Sequence, residues 1–394
     1  MQYRRFGRTE IQMPVFSCGG MRYQQSWNDI APADVPKANQ ENLEATIRRS
    51  LEVGINHIET ARGYGSSEMQ LGWILPKLPR DEMIIQTKVA PTADPKEFES
   101  VLEQSLSLLK LDHVDLLGIH GINNEELLDW TVREGGCMEV ARRYQKEGRV
   151  RHIGFSTHSP EPVITKAIET DAFDYVNLHW YYIFQDNWPS IEAATQRDMG
   201  VFIISPNDKG GQLYNPTPKL VELCAPLSPM AFNDLFCLLR PEVHTLSLGA
   251  SRPTDFDEHL KALDHYDQAA ELIPTIAAKL RAHAIDKVGE DWLDHFLDDI
   301  PRWNLVPGEV NLRVILRLWT LVACYDMVEY GKARYNLLGN AEHWFPGKNL
   351  KNADYAALEG RLAQSRFSDL NLERLKEAHK LLGGSEKKRL SQSD

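Results

Sequence analysis

Short apolar runs alternate with longer amphipathic stretches from the start of the chain to about residue 263. The short runs are Val15-Phe16-Ser17-Cys18, Ile55 to Ile58, Met83 to Thr87, Val114 to Ile119, Arg151 to Ser156, Phe173 to Leu178, Val201 to Ser205 and Thr245 to Leu248. Each is too short for a helix and is bounded by turn residues, so each predicts a strand. Between them apolar positions recur at helical spacing. Leu43, Ile47 and Leu51 share one face of a helix from Gln40, and Phe98, Val101, Leu102, Ser105, Leu106 and Leu109 share one face of the next. That second helix opens at Asp94-Pro95, a good cap and first-turn pair. Further helices are predicted over Met138–Glu147, from Ser159-Pro160 through Ile168, over Trp188–Arg197 and over Asp255–Leu263.

Eight strands separated by helices of this size predict an α/β fold of the (β/α)8 TIM-barrel kind rather than an open sheet. No G-x-G-x-x-G follows the first strand, which disfavours a Rossmann domain. Before the barrel, Tyr3-Arg4-Arg5-Phe6 and Ile11-Gln12-Met13 flank a Gly7-Arg8-Thr9-Glu10 turn and predict an N-terminal β-hairpin. After residue 263 strand alternation stops. Residues 264–382, with Trp292, Trp303, Trp319 and Trp344 among helical apolar runs, predict a helical C-terminal extension packed on the barrel; 383–394 reads as a solvated, disordered tail. The barrel domain is thus expected over 1–263.

Composition narrows the class. At 394 residues the chain can hold one large α/β domain and an appendage. Its 42% apolar and 25% charged content is that of an ordinary globular protein. No apolar run approaches the roughly 20 residues of a membrane span, and Met1 to Phe6 lacks a signal-peptide core. Acidic residues outnumber basic ones, 56 to 44, which argues against a nucleic-acid partner. Five dispersed cysteines, Cys18, Cys137, Cys224, Cys237 and Cys324, make no C-x-x-C. They predict neither disulfides nor a metal centre, and suit a reducing cytoplasm.

Candidate chemistry lies at the strand ends. The strand from Ile55 delivers the carboxylate of Glu59, and Tyr64 follows in the glycine-flanked loop Gly63-Tyr64-Gly65. The next two strands end in Lys88 and His120. In a parallel barrel reacting groups converge at those C-terminal ends. The pair Gly19-Gly20, followed by Met21, ends the first strand and would let backbone approach a flat ring.

The stretch Gly54-Ile55-Asn56-His57-Ile58-Glu59-Thr60-Ala61-Arg62-Gly63-Tyr64-Gly65-Ser66-Ser67-Glu68 resembles the signature of the aldo-keto reductases, close to G-x-N-x-x-D-T-A-x-x-Y-G-x-S-E. The similarity runs through about residue 262. It implies Tyr64 as general acid, Lys88 as the cation that tunes it, His120 as the group that orients the substrate, and Glu59, where the family has aspartate, as the partner of Lys88. It implies a cofactor site in which Gly20 and Met21 lie near the nicotinamide, and Ser156, Thr157 and Asn177 hold the carboxamide. The family usually has Ser-Asn and Gln at those last three places. Trp180 or Tyr181 would stack on the ring. Ser205, Pro206 and Lys209 would face the pyrophosphate, and Gly249, Ser251, Arg252 and Asp255 would form the segment gripping the adenosine phosphate. Glu258 would hold the adenine edge, and Arg252 at a helix N-terminus favours NADPH over NADH.

The extension resembles that of the family branch carrying ferredoxin-like segments, through Pro307-Gly308-Glu309-Val310-Asn311. The cluster cysteines are missing, so no iron–sulfur cluster is expected. The implied activity is NADPH-dependent reduction of an aldehyde or ketone, acting on a small-molecule carbonyl substrate, by a monomer or small homo-oligomer. Two other readings compete with it. A metal-dependent hydrolase would use His57, Glu59, His120 and His179, but Lys88 would place a competing cation beside the metal. A nucleotide sensor with the extension as its docking surface would bind NADPH with little turnover. The substrate itself is not encoded in any motif, although the loops 22–39 and 122–135 and the C-terminal extension are expected to shape the pocket.

Overall fold

The structure, a computed structural model, describes residues 1–392 of the chain. It divides into two compact units. One comprises residues 1–210 and 233–269, the other 211–232 and 270–394. The second unit therefore takes in a stretch that the strand pattern alone assigns to the barrel.

The first unit opens with strands β1 (Tyr3–Arg5) and β2 (Gln12–Pro14), paired antiparallel around a short 3-10 turn. Then come β3 (Phe16–Gly19), β4 (His57–Glu59), β5 (Ile84–Val89), β6 (Val114–His120), β7 (Val150–Ser156), β8 (Tyr175–Leu178), β9 (Gly200–Ile203) and β10 (Thr245–Leu248). These eight close in parallel, β10 pairing with β3. The expected hairpin and (β/α)8 barrel are both present. Phe6 and Met13 of the hairpin share an apolar cluster with Ile84, Leu116, Tyr175 and Phe202. Ile84 and Gly200 begin β5 and β9, so the hairpin packs against the end of the barrel opposite the candidate chemistry. At Gly200 any Cβ would lie 2.6 Å from the Phe6 ring, so the glycine is required for that packing.

Most helices form where their apolar spacing places them, with ends moved by a residue or a few. Asp94 caps Pro95–Leu109 by accepting from Lys96 N–H, and Phe98, Leu102, Ser105, Leu106 and Leu109 are buried. One helix lies in a region read as loop. Glu125–Val132 is capped by Asn124, which accepts from Leu127 N–H, and it buries Leu128 and Thr131. Its cap and its two acidic first-turn residues were a legible start signal. The strand expected from Ile55 is shorter, because Ile55 N–H still bonds Ser50 O at the end of the preceding helix.

The second unit is helical. Its longer helices are Ala269–Val288, Leu312–Tyr325 and Ser368–Leu382. Trp292, Ile315, Leu316, Tyr335, Leu358 and Leu375 belong to its buried core. After Gly383 the chain stays tied: Gly384 N–H donates to Asn336 Oδ1 and Lys387 N–H to Asn336 O. Of the tail expected over 383–394, residues 393 and 394 lie outside the described residues. Among the described residues no helix is long and apolar enough to cross a membrane.

Candidate active site

Register brings the strand-end groups together. Glu59 pairs with Gly19 on one side and Gln86 on the other, and Lys88 stands beside Gly118. Alternation along β5 then puts Gln86 and Lys88 on one face, two residues apart. Lys88 Nζ donates to Glu59 Oε1, and to Thr60 O at 2.7 Å. Tyr64 OH donates to the same Glu59 oxygen at 3.4 Å, and Ser247 Oγ donates to Oε2 at 3.4 Å. One carboxylate thus ties β4, β5, β10 and the Tyr64 loop. The extra methylene of Glu59 does not prevent pairing with Lys88. Both partners are 2% exposed, and burial holds the Lys88 pKa well below its ordinary value.

Tyr64 is held by its loop and its neighbours. Its N–H bonds Ala61 O, and Gly65 takes a φ of 54° where a Cβ would collide with Ser26 O at 2.2 Å. The phenol ring meets His120 edge-on at 5.7 Å and Trp27 edge-on at 6.0 Å, with Lys88 Nζ 4.9 Å from its centroid. Glu68, the last residue of the signature, is fully buried and accepts from Thr87 Oγ1 at 2.5 Å and from Ser105 Oγ. Its burial raises its pKa, and its role is to anchor the loop to β5. The four expected residues, Glu59, Tyr64, Lys88 and His120, therefore meet. A phenol beside a buried ammonium, with an imidazole against its ring, can deliver a proton to an oxygen placed between them.

Around this centre the expected cofactor residues divide. Asn177 is fully buried, and neither Oδ1 nor Nδ2 has a hydrogen-bond partner among the described residues. An unsatisfied buried amide offers the paired donor and acceptor that a carboxamide requires. Ser156 Oγ accepts from Gly121 N–H at 3.1 Å. Thr157 is committed to backbone, donating to Ile122 O at 2.7 Å and accepting from Ser159 N–H. At Gly20 a Cβ would lie 2.6 Å from Glu59 O, so the loop that continues through half-buried Met21 runs directly over β4. Trp180 is buried and stacks on Phe236 at 4.9 Å, and Tyr181 OH donates to Ile204 O.

The loop after β9 is tightly wound. Ser205 has a φ of 55°, Lys209 N–H bonds Ser205 O, and Asn233 Nδ2 donates to Pro206 O at 3.4 Å. Lys209 Nζ lies 2.9 Å from His158 Nδ1 and 3.1 Å from His179 Nε2. After β10, Gly249 lies close to Arg22. Asp255 accepts from Ser251 N–H and Oγ and from Arg252 N–H and Nε, at 2.9 to 3.3 Å. The groups expected to grip a phosphate are thus already capped by a carboxylate. Glu258 meets Lys261 at 3.5 Å.

Ser247 and Trp27 touch the centre without having been singled out from the sequence. Ser247 could have been found as the polar residue among apolar neighbours at a strand end; Trp27 lies in the stretch 22–39 expected to shape the pocket but carries no signal of its own. His57, part of the hydrolase reading, lies within the barrel wall with Nδ1 2.6 Å from Ser17 Oγ. Among the described residues no three His, Cys, Asp or Glu side chains are grouped to hold a metal ion.

Residues 16–176 match the aldo/keto reductase family. The chain is 28% identical over 177 residues to an Escherichia coli L-glyceraldehyde 3-phosphate reductase, covering 41% of this chain and 46% of that protein. It is 32% identical over 213 residues to an aldo-keto reductase of Mycobacterium avium, covering 53% and 66%. The chain thus spans about half to two thirds of the length of these relatives. Among solved structures, an aldo-keto reductase from Bacillus halodurans in its holo form shares the fold with a TM-score of 0.56 at 18% identity, over 69% of this chain and 96% of that one. Sequence match and barrel topology agree: residues 16–176 match the aldo/keto reductase family, and the barrel has the fold of the solved structure.

Proposed function

We propose that the protein reduces the carbonyl of a small aldehyde or ketone to the alcohol with NADPH. The observation that carries this reading is the meeting of Tyr64, Lys88, Glu59 and His120 at one end of the barrel. When bound, the reduced nicotinamide supplies the hydride. The chain supplies the proton and the geometry.

Tyr64 gives its phenolic proton to the carbonyl oxygen. The phenol has an ordinary pKa of about 10, and Lys88 beside its ring favours the phenolate left behind. Glu59 fixes Lys88 so that its ammonium does not swing toward solvent. His120, edge-on to Tyr64, orients the carbonyl oxygen and shares the charge that develops there. Asn177 fits the carboxamide because both its amide atoms are buried and open. Lys209 and the backbone of the loop from Ser205 fit the diphosphate, and Arg252 fits an adenosine 2′-phosphate through the terminal nitrogens of its exposed guanidinium.

NADPH oxidation with a panel of aldehydes and ketones tests the reading, comparing the native chain with Tyr64→Phe. Turnover should fall by about 10² to 10⁴ in the variant while NADPH affinity is kept. Turnover equal in both would remove Tyr64 as acid. A chain that binds NADPH and reduces no carbonyl would behave as a nucleotide sensor.

A further inference from the structure

Three side chains outside the reacting centre join the loop after β9 to the helix after β10. His259, in the helix Asp257–Leu263, is 1% exposed, and Asp234 is wholly buried. His259 Nδ1 and Asp234 Oδ2 lie 2.5 Å apart. The other ring nitrogen, Nε2, lies 3.0 Å from Asn207 Nδ2. With Asn207 Nδ2 donating to Nε2, the imidazole proton sits on Nδ1 facing the carboxylate. Phe16 meets the imidazole edge-on at 5.7 Å, so the ring is held by packing as well as by its bonds.

Two features show that this is more than filling. Asn207 Oδ1 and Asp234 Oδ1 are both buried without a hydrogen-bond partner among the described residues. Buried acceptors left open are costly, and each one in a native structure calls for an explanation. Asn207 also stands in the turn where Ser205 has positive φ and where a Cβ at Gly210 would lie 2.0 Å from Pro206 O. A small displacement of Asn207 therefore moves the whole turn. The helix it is tied to carries Glu258 and follows Ser251 and Arg252 after one short 3-10 turn, Pro253–Phe256.

We propose that Asp234, His259 and Asn207 form a positioning relay that sets the loop Ser205–Gly210 against the helix bearing Glu258. Dinucleotide affinity then depends on a buried pair that touches neither the carbonyl nor the phenol. The inference rests on the nicotinamide-dinucleotide reading.

The test is NADPH affinity of the full chain, by fluorescence titration, for His259→Phe, His259→Gln, Asn207→Ala and the double variant His259→Phe/Asn207→Ala. The two disruptive single variants should each weaken binding about tenfold. The double variant should be no weaker than either, because both remove the same connection. Gln can donate to Asp234 and accept from Asn207 through one amide, so His259→Gln should recover most of the affinity. In His259→Phe, kcat at saturating NADPH should change less than affinity does. Losses that multiply in the double variant, or a Gln variant no better than Phe, would overturn the relay. Should His259→Phe fail to fold, Asn207→Ala and His259→Gln decide the matter, since unchanged affinity in Asn207→Ala overturns it too. A native chain that binds neither NADPH nor NADH would remove the cofactor reading and the relay together, whereas native binding with unaffected single variants would remove the relay alone.

Discussion

Gly118 faces Lys88 so closely that a Cβ on it would stand 2.8 Å from Lys88 Cγ and 3.3 Å from Cδ. The contact falls near the root of the lysine side chain, not at its flexible end. An added methyl cannot be absorbed by a small swing of the ammonium. Gly118→Ala should therefore shift Nζ away from Glu59 and Tyr64 while β6 keeps its pairing with β5 and β7. An ångström of misplacement at a reacting centre costs on the order of a hundredfold in rate. We expect kcat for carbonyl reduction to drop by about 10- to 100-fold, with an unchanged circular dichroism spectrum. An unchanged kcat would show that Lys88 has room to adjust.

Glu59 yields a second prediction because its two oxygens have separate duties. Oε1 meets Lys88 and Tyr64, and Oε2 meets Ser247. Glu59→Asp retracts the carboxylate by one methylene on a fixed strand, so it should lose one set of contacts. Glu59→Gln keeps the length and removes the charge, leaving a buried ammonium without its counter-ion, which costs about 3–5 kcal/mol. Activity should fall in both. Thermal stability should fall more in Glu59→Gln, as melting curves of the two variants would show.

The acid stability of the barrel should be set in part by two buried imidazoles. Burial and the charge of Lys88 push the His57 pKa down to about 3. Burial and the charge of Arg4 push that of His244 down to about 4. Both side chains take a proton near 6.5 once the chain unfolds. Between pH 6.5 and these lower values the unfolded state binds more protons than the native one, so stability falls as pH falls through that window. Each residue contributes on the order of a few kcal/mol at neutral pH. Urea midpoints between pH 7 and 4.5 should fall steeply for the native chain and less steeply for His57→Gln. Parallel curves would exclude His57 from the effect.

What could be read in advance follows from how far each signal travels along the chain. Lys88 and His120 were legible because each lies at the end of its own apolar strand, and the parallel register does the rest. Tyr64 was legible through its two flanking glycines. Ser247 reaches Glu59 across 188 positions, and only barrel closure brings β10 beside β3. The Asp234–His259 pair likewise has no local pattern, because a buried carboxylate and an imidazole 25 residues apart look like any two polar residues. Trp180, read with Tyr181 as a candidate to stack on the ring, packs on Phe236, a neighbour that no local pattern announces. Helix periodicity located the extension, yet it carries no information about which neighbour each apolar face meets.

Under the proposed function, the choice between NADPH and NADH turns on Asp255. Arg252 offers the guanidinium that a 2′-phosphate needs, with its side chain 71% exposed. Asp255 takes four of the donors around it, two from Ser251 and two from Arg252. A bound 2′-phosphate would have to share that ground with a carboxylate of the same charge, which weakens its hold in proportion to their closeness. Replacing Asp255 by Asn keeps an acceptor for the Ser251 and Arg252 groups and removes the like charge. Asp255→Asn should therefore tighten NADPH by about three- to tenfold and leave NADH almost unchanged, because NADH carries no phosphate at that carbon. Arg252→Ala should do the reverse, weakening NADPH by a similar factor and sparing NADH. Dissociation constants for both nucleotides in the native chain and the two variants check this at low salt, where the charge effect is largest. Equal shifts for the two nucleotides would place Arg252 and Asp255 away from the 2′-phosphate and reduce them to a helix cap.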